Sequence, residues 1–163
     1  EDLIELGKGP LTVTNLVGWI IGWGSPMCQT NRLAYDYLRK RPGAKLVNHE
    51  TNIEDTLEAP HWDLYFARQS GLPNGYDFGA QRVSWMAHLL TDWMGDEGKL
   101  VMLDVQLRRP NFLGDTTWLT GKVTKKYHKD NDYLIDCDLW GVNQRGEKTM
   151  NGKATVLLPV KSV

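Results

Sequence analysis

The chain has 163 residues, 41% of them hydrophobic and 24% charged, with a formal net charge of -1. That balance excludes a disordered chain and a generally basic nucleic-acid-binding surface, and one core of this size buries roughly 68–70% of the unfolded chain's surface without a metal or disulfide scaffold. One domain over residues 1–163 is the expectation, with no nucleic acid among its partners. Cys28 and Cys137 are too few and too far apart for a disulfide framework or a zinc signature, and they fit a reducing cytoplasm. The longest apolar run, Leu16 to Trp23, falls short of the ~20 residues that span a bilayer and follows no basic leader, so neither export nor membrane insertion is expected. Seven tryptophans and six tyrosines imply flat, rigid walls, either in the core or around a ligand.

In chain order, Thr12 to Asn15 caps a nearly all-apolar helix through Ile21 that Gly22-Trp-Gly-Ser-Pro26 stops, and a helix so apolar should be buried. Thr30 caps a second helix with Leu33, Ala34, Tyr37 and Leu38 on one face, ended by the basic run Arg39 to Arg41 before Pro42-Gly43. Residues 44 to 60 are polar and weakly patterned, an excursion without a predicted element. Asp63 caps a short helix from Leu64 to Ser70 with Gly71 just beyond it, and Leu72 to Gly75 is a turn. From Gly79 to Met94 runs the strongest helix: Val83, Met86, Ala87, Leu90 and Met94 form a stripe, Trp85, Leu89 and Trp93 widen it, and Gln81, Ser84, His88 and Asp92 leave a narrow polar strip. The period then drops to two. Val101, Leu103, Val105 and Leu107 alternate with Met102, Asp104, Gln106 and Arg108, and further strands follow at Trp118 to Thr124, Tyr133 to Trp140 and Lys153 to Val160, with turns at Lys129 to Asp132 and Asn143 to Gly146. A buried helix followed by an antiparallel meander predicts an α+β architecture with the sheet curled around the helix.

Among the four histidines, His61 stands out because Pro60-His-Trp-Asp63 sits in a turn-rich stretch directly before a helix. Glu54, Asp55 and Glu58 are close enough in sequence to share a proton with it or orient it, while Asp63 reads as the cap of the following helix. Tyr76-Asp-Phe-Gly79 leads into the long helix, where free backbone N–H groups and the helix dipole suit a developing oxyanion, and Asp77 reads as a cap or a carboxylate at that entrance. Glycine-rich phosphate loops, serine-hydrolase elbows and paired Cys-x-x-Cys motifs are all missing.

Taken together, Pro60 to Ala67, Gly71, the Gly79-led helix ending at Gly95, and Arg109-Pro-Asn-Phe-Leu-Gly114-Asp115 before a strand resemble the MaoC-like (R)-specific enoyl-CoA hydratase/dehydratase family of hot-dog proteins over about residues 10 to 160. The resemblance implies a hot-dog fold, a curved antiparallel sheet wrapped around a long central helix, dimerising side by side with a second copy or with another hot-dog chain. It implies an acyl group carried as a CoA or acyl-carrier-protein thioester, hydrated reversibly at its 2-enoyl double bond, with no metal or redox cofactor. In that family a Gly-Asp-x-Asn-Pro-x-His-x-Asp stretch supplies the catalytic Asp and His. Here the stretch looks split, by an insertion at residues 27–59, and His61 carries over onto the catalytic His and Asp63 onto the structural Asp. Five residues before His61 stands Thr56, not an aspartate, which leaves Asp55 and Asp77 as substitutes. Gly79 carries over onto the oxyanion glycine. Trp62, Trp85 and Phe78 form the expected acyl pocket, with Trp19, Trp23 and Trp93 near it, which favours a bulky or ring-bearing acyl group. The lost aspartate makes a silent acyl-CoA-binding subunit the second expectation; a thioesterase using Asp92 on the long helix is the third.

Overall fold

The computed structural model describes residues 1–28, 30–130 and 132–159. Val160 of the expected last strand, Asn131 of the expected turn and Gln29 of the expected insertion lie outside the described residues. A three-residue strand β1 (Leu6–Lys8) precedes helix α1 (Val13–Trp23), which starts where the Thr12 hydroxyl accepts the Asn15 N–H and ends at Gly24 in the left-handed region, φ 89°. Helix α2 (Arg32–Arg39) is capped one residue later than expected, by Asn31 rather than Thr30, because the Asn31 side chain reaches the Ala34 N–H at 3.0 Å. The stretch without a predicted element contains a hairpin, β2 (Lys45–Val47) with β3 (Glu54–Thr56), followed by a single 3-10 turn over Ala59–His61. Helix α3 (Leu64–Gln69) has the expected cap: Asp63 Oδ1 accepts from Tyr65 N at 2.8 Å and Phe66 N at 3.3 Å. Then come α4 (Gly79–Met94), β4 (Lys99–Leu107), β5 (Thr117–Lys129), β6 (Asp132–Asn143) and β7 (Lys148–Leu158).

The five long-range strands form one antiparallel, curled sheet in the order β1-β5-β6-β7-β4, and α4 packs across its inner face. Met86, Leu89 and Leu90 of α4 meet Leu119, Leu139, Met150 and Val156 of the sheet, all 0–1% exposed, and each such side chain contributes about 1.5–3 kcal/mol through burial. The helix therefore sits where its periodicity places it, but rotated: Gln81 and Arg82 are buried while Val83 is 39% exposed. Gln81 leaves the expected polar strip because both ends of its amide are used. Its Oε1 accepts the Phe78 N–H at 3.4 Å and its Nε2 donates to Asn15 Oδ1 at 3.0 Å.

Two further expectations are corrected. In β4 the alternation breaks at a bulge between Leu100 and Met102, so Leu100, Leu103 and Val105 pack on the core while Val101 is 52% exposed. In α1 only Leu16 and Ile20 are buried; Ile21 is 50% and Trp23 60% exposed, and Leu33 of α2 is likewise exposed. No helix among the described residues is long and apolar enough to cross a membrane.

Candidate active site

Local chain chemistry fixes where His61 stands. Pro60 opens the 3-10 turn with a preset φ, the His61 N–H donates to Glu58 O at 3.0 Å, and Asp63 then starts α3. From the other side, the Tyr76 N–H donates to His61 O at 2.9 Å, and the segment leading into α4 is laced to the β4–β5 junction by Leu113 N to Gly75 O at 2.9 Å and Asp77 N to Asn111 O at 3.0 Å. Gly75 must be glycine here, since a Cβ on it would stand 2.5 Å from His61 O. At that junction Asp115 accepts the Phe112 N–H at 2.9 Å and both arms of Arg145, at 2.6 and 2.8 Å, which pins the Pro110 to Asp115 turn.

The His61 ring is half-buried between Tyr76, at 4.1 Å, and Phe78, on which it stacks at 3.9 Å and 27°. Its Nδ1 lies 2.9 Å from Tyr76 O, and a carbonyl only accepts, so the proton is on Nδ1 and the Nε2 lone pair is left to act as a base. Burial holds the imidazole below its ordinary value, with the Tyr76 carbonyl, the Glu58 charge and the Asp77 backbone pulling part of the way back. That lowering favours the neutral imidazole. Phe78 is the hub of an aromatic cluster, stacked on Trp19 at 5.5 Å and tilted to Trp62 at 6.5 Å; Trp19 in turn stacks on Trp23 at 5.7 Å. Trp85 packs against both this cluster and the main core, and Trp93 belongs to the main core alone.

One residue on, Gly79 begins α4, and among the described residues its N–H has no protein acceptor. A Cβ there would press on Leu107 Cδ1 at 3.0 Å, so glycine permits the close approach of strand and helix start. Asp77 is 1% exposed and does not cap α4, whose N-cap is Phe78. Its carboxylate accepts from Asn111 N at 3.2 Å and Asn111 Nδ2 at 2.5 Å, and Arg82 Nε stands 3.2 Å away, near enough for attraction but not aligned for a hydrogen bond. Burial outweighs these partners and pushes Asp77 up to about 6. Asp55 lies exposed on β3, its Oδ1 accepting the Thr56 N–H at 2.7 Å. Thr56 is buried, and its hydroxyl accepts the Glu58 N–H at 3.2 Å. Glu58 itself is held from the far end of α1: Ser25 Oγ donates to Oε1 at 2.9 Å and Cys28 Sγ to Oε2 at 2.7 Å. Burial and that carboxylate push the Cys28 thiol up to about 12.

Beside this cluster lies a cavity of about 600 Å³ between α1, α2 and the β2–β3 hairpin. Val17, Ile20, Met27, Leu38 and Trp62 give it an apolar lining, Cys28, Asp55 and Thr56 form part of its wall, and Arg39 and Lys45 border it. No group of three metal-ligating side chains comes together among the described residues. Sequence reasoning thus placed His61, Phe78, Gly79 and Trp62 in one region but gave no sign that Ser25 and Cys28, thirty or more residues upstream, reach Glu58.

No protein-family model matches the chain, and no curated protein does. Solved structures do. The ChsH1-ChsH2 complex from Mycobacterium tuberculosis superposes with a TM-score of 0.67 at 17% identity, over 98% of this chain and 96% of that one. An (R)-hydratase from A. caviae involved in PHA biosynthesis gives 0.65 at 16% identity, over 98% and 95%. The chain has the hot-dog fold. A third hot-dog neighbour, the HadBC (3R-hydroxyacyl-ACP dehydratase) complex from Mycobacterium tuberculosis, covers 61% of this chain and 75% of its own at 13% identity with a TM-score of 0.52. At such identities the likeness carries the hot-dog fold, and the chemistry has to be argued from the side chains.

Proposed function

We propose that this chain is a hydratase/dehydratase that adds water reversibly to a trans-2-enoyl thioester of CoA or an acyl-carrier protein. The observation that carries the reading is His61: its Nδ1 is tied to Tyr76 O, its Nε2 is free to take a proton, and it stacks on the residue that caps the helix begun by Gly79. With the thioester carbonyl oxygen on the Gly79 N–H, negative charge developing at that oxygen is met by a fixed donor and the positive end of the helix dipole. Water held by His61 and a carboxylate then bonds through oxygen to Cβ, and its second proton is delivered to Cα. The reading needs no metal or redox cofactor.

A bulky or ring-bearing acyl group suits the aromatic walls of Trp19, Trp62 and Phe78 and the neighbouring cavity of about 600 Å³, a size that holds drug-sized ligands. Both cysteines are free thiols, in keeping with a reducing cytoplasm. The two-chain composition of the ChsH1-ChsH2 and HadBC neighbours favours assembly with a second hot-dog chain, identical or different. The test is loss of enoyl absorbance with a panel of aliphatic and ring-bearing enoyl-CoA thioesters, with His61→Ala alongside. Turnover should fall at least about 100-fold in the variant. Tight binding without turnover by the parent chain on every member would replace this reading by the silent subunit that Thr56 at position 56 favours.

A further inference from the structure

The hydratase reading leaves one role unfilled, the carboxylate that works with His61, and the following rests on that reading. Position 56, five residues before His61, holds a buried threonine whose hydroxyl is engaged by the Glu58 N–H. Around His61 the other carboxylates of the described residues are committed elsewhere. Asp63 caps α3, Asp77 is bound by Asn111 and Arg82, Asp55 turns back onto the Thr56 N–H, and Glu54 is bonded to Lys45.

Glu58 is different in three respects. It stands on the same turn as His61, whose N–H its carbonyl accepts at 3.0 Å. Its side chain runs inward, where Ser25, 1% exposed, and Cys28 each donate one hydrogen bond, one to each carboxylate oxygen. Each oxygen has two lone pairs, so each retains one for a water. Cys28 and Thr56, its contacts, form part of the wall of the cavity that Trp62 also lines. We infer that Glu58 is the catalytic carboxylate of this chain, supplied from two residues beyond the usual position, with the Ser25 hydroxyl and the Cys28 thiol as its positioning groups.

In the forward reaction Glu58 and His61 hold one water between them. Its oxygen bonds to Cβ and keeps one hydrogen; the other proton passes through the pair to Cα, where the electron pair of the double bond becomes the new C–H bond. Nothing else is consumed. The Glu58 charge already acts on His61 against the effect of burial, and the thiol, pushed up to about 12, stays protonated and remains a donor rather than a nucleophile.

Two readouts test the pair. Titration of the His61 ring by NMR should move to lower pH in Glu58→Gln, because a stabilising negative charge is gone, and stay put in Asp55→Asn. In turnover, Glu58→Gln should lose about 100-fold or more in kcat with KM changed only a few-fold, and the double variant E58Q/T56D should regain at least about tenfold by restoring a carboxylate at the neighbouring position. If Glu58→Gln fails to fold, Ser25→Ala/Cys28→Ala keeps the charge but releases it, and both the His61 titration and kcat should change. Full turnover in Glu58→Gln, or in the released variant, overturns the inference and leaves the hydratase reading standing. If the parent chain turns over nothing, the hydratase reading falls, and an unmoved His61 titration in Glu58→Gln then overturns the pairing as well.

Discussion

The buried Asp77 carboxyl should make folding stability respond to pH in a way that a single substitution removes. Its ordinary value of 3.8 is raised to about 6 in the folded chain, chiefly by burial. A group raised on folding stabilises fully below its unfolded value and loses that contribution as pH rises through the folded one, so the window runs from 3.8 to about 6. At about 1.4 kcal/mol per pH unit, the ionised carboxylate costs the fold about 3 kcal/mol at neutral pH relative to the protonated acid. The neutral form is readily accommodated. Asn111 Oδ1 is buried and unpaired, and a flip of the Asn111 amide would present it to a donor at position 77. Asp77→Asn supplies that donor at every pH. The stability gap between wild type and Asp77→Asn should therefore change by about 3 kcal/mol in favour of wild type as pH falls from about 7 to about 3. With an m-value of about 2 kcal/mol/M, the relative urea midpoints should move by about 1.5 M. His61, held below its ordinary 6.5, destabilises the fold as pH falls, but it does so in both proteins and cancels in the difference. Parallel curves would refute the argument, and a gap that moves the other way would mean that Arg82 outweighs burial at Asp77.

Gly75→Ala places a Cβ 2.5 Å from His61 O and 2.9 Å from Leu113 Cδ1, so backbone must shift; hydration activity should drop at least about tenfold, with a stability loss of about 1–3 kcal/mol in urea melts. An unchanged kcat in Gly75→Ala would show that the site tolerates displacement of the His61 backbone. Asp63→Ala removes the acceptor for Tyr65 N and Phe66 N and should cost about 0.5–2 kcal/mol, while Asp63→Ser should recover most of it.

Much of this was legible in the sequence where the determinants are local. Period 3.6 from Gly79 to Met94 and period 2 beyond Lys99 are properties of consecutive residues, and α4 and the meander follow from them. The Asp63 cap and the glycine at 79 are local too. What sequence reasoning missed depends on distant partners. Strand β1 is three residues long and exists because Leu6 pairs with Leu119; nothing in Leu-Gly-Lys announces it. The bulge that turns Val101 outward is set by register against β7. Gln81 and Arg82 are buried because Asn15, Asp77 and the carbonyls of Arg109 and Thr149 receive them, and a hydrophobic stripe counts such residues as outward-facing. At the site, the spacing of Pro60-His-Trp-Asp63 marked His61, but Ser25 and Cys28 reach Glu58 only through the fold.

The lacing of residues 75–77 to residues 111–113 also bears on how the chain acquires its structure. The β5–β6–β7 meander joins neighbours in sequence and can form early, whereas the His61 turn is held from one side by the approach to α4 and through it by the β4–β5 junction, some fifty residues downstream. The histidine pocket is thus a late product of folding that waits for the chain to close on itself. Refolding followed through the Trp19 and Trp62 rings around Phe78 should lag behind the far-UV signal of the sheet, and a chain arrested between the two would hold its meander without a site.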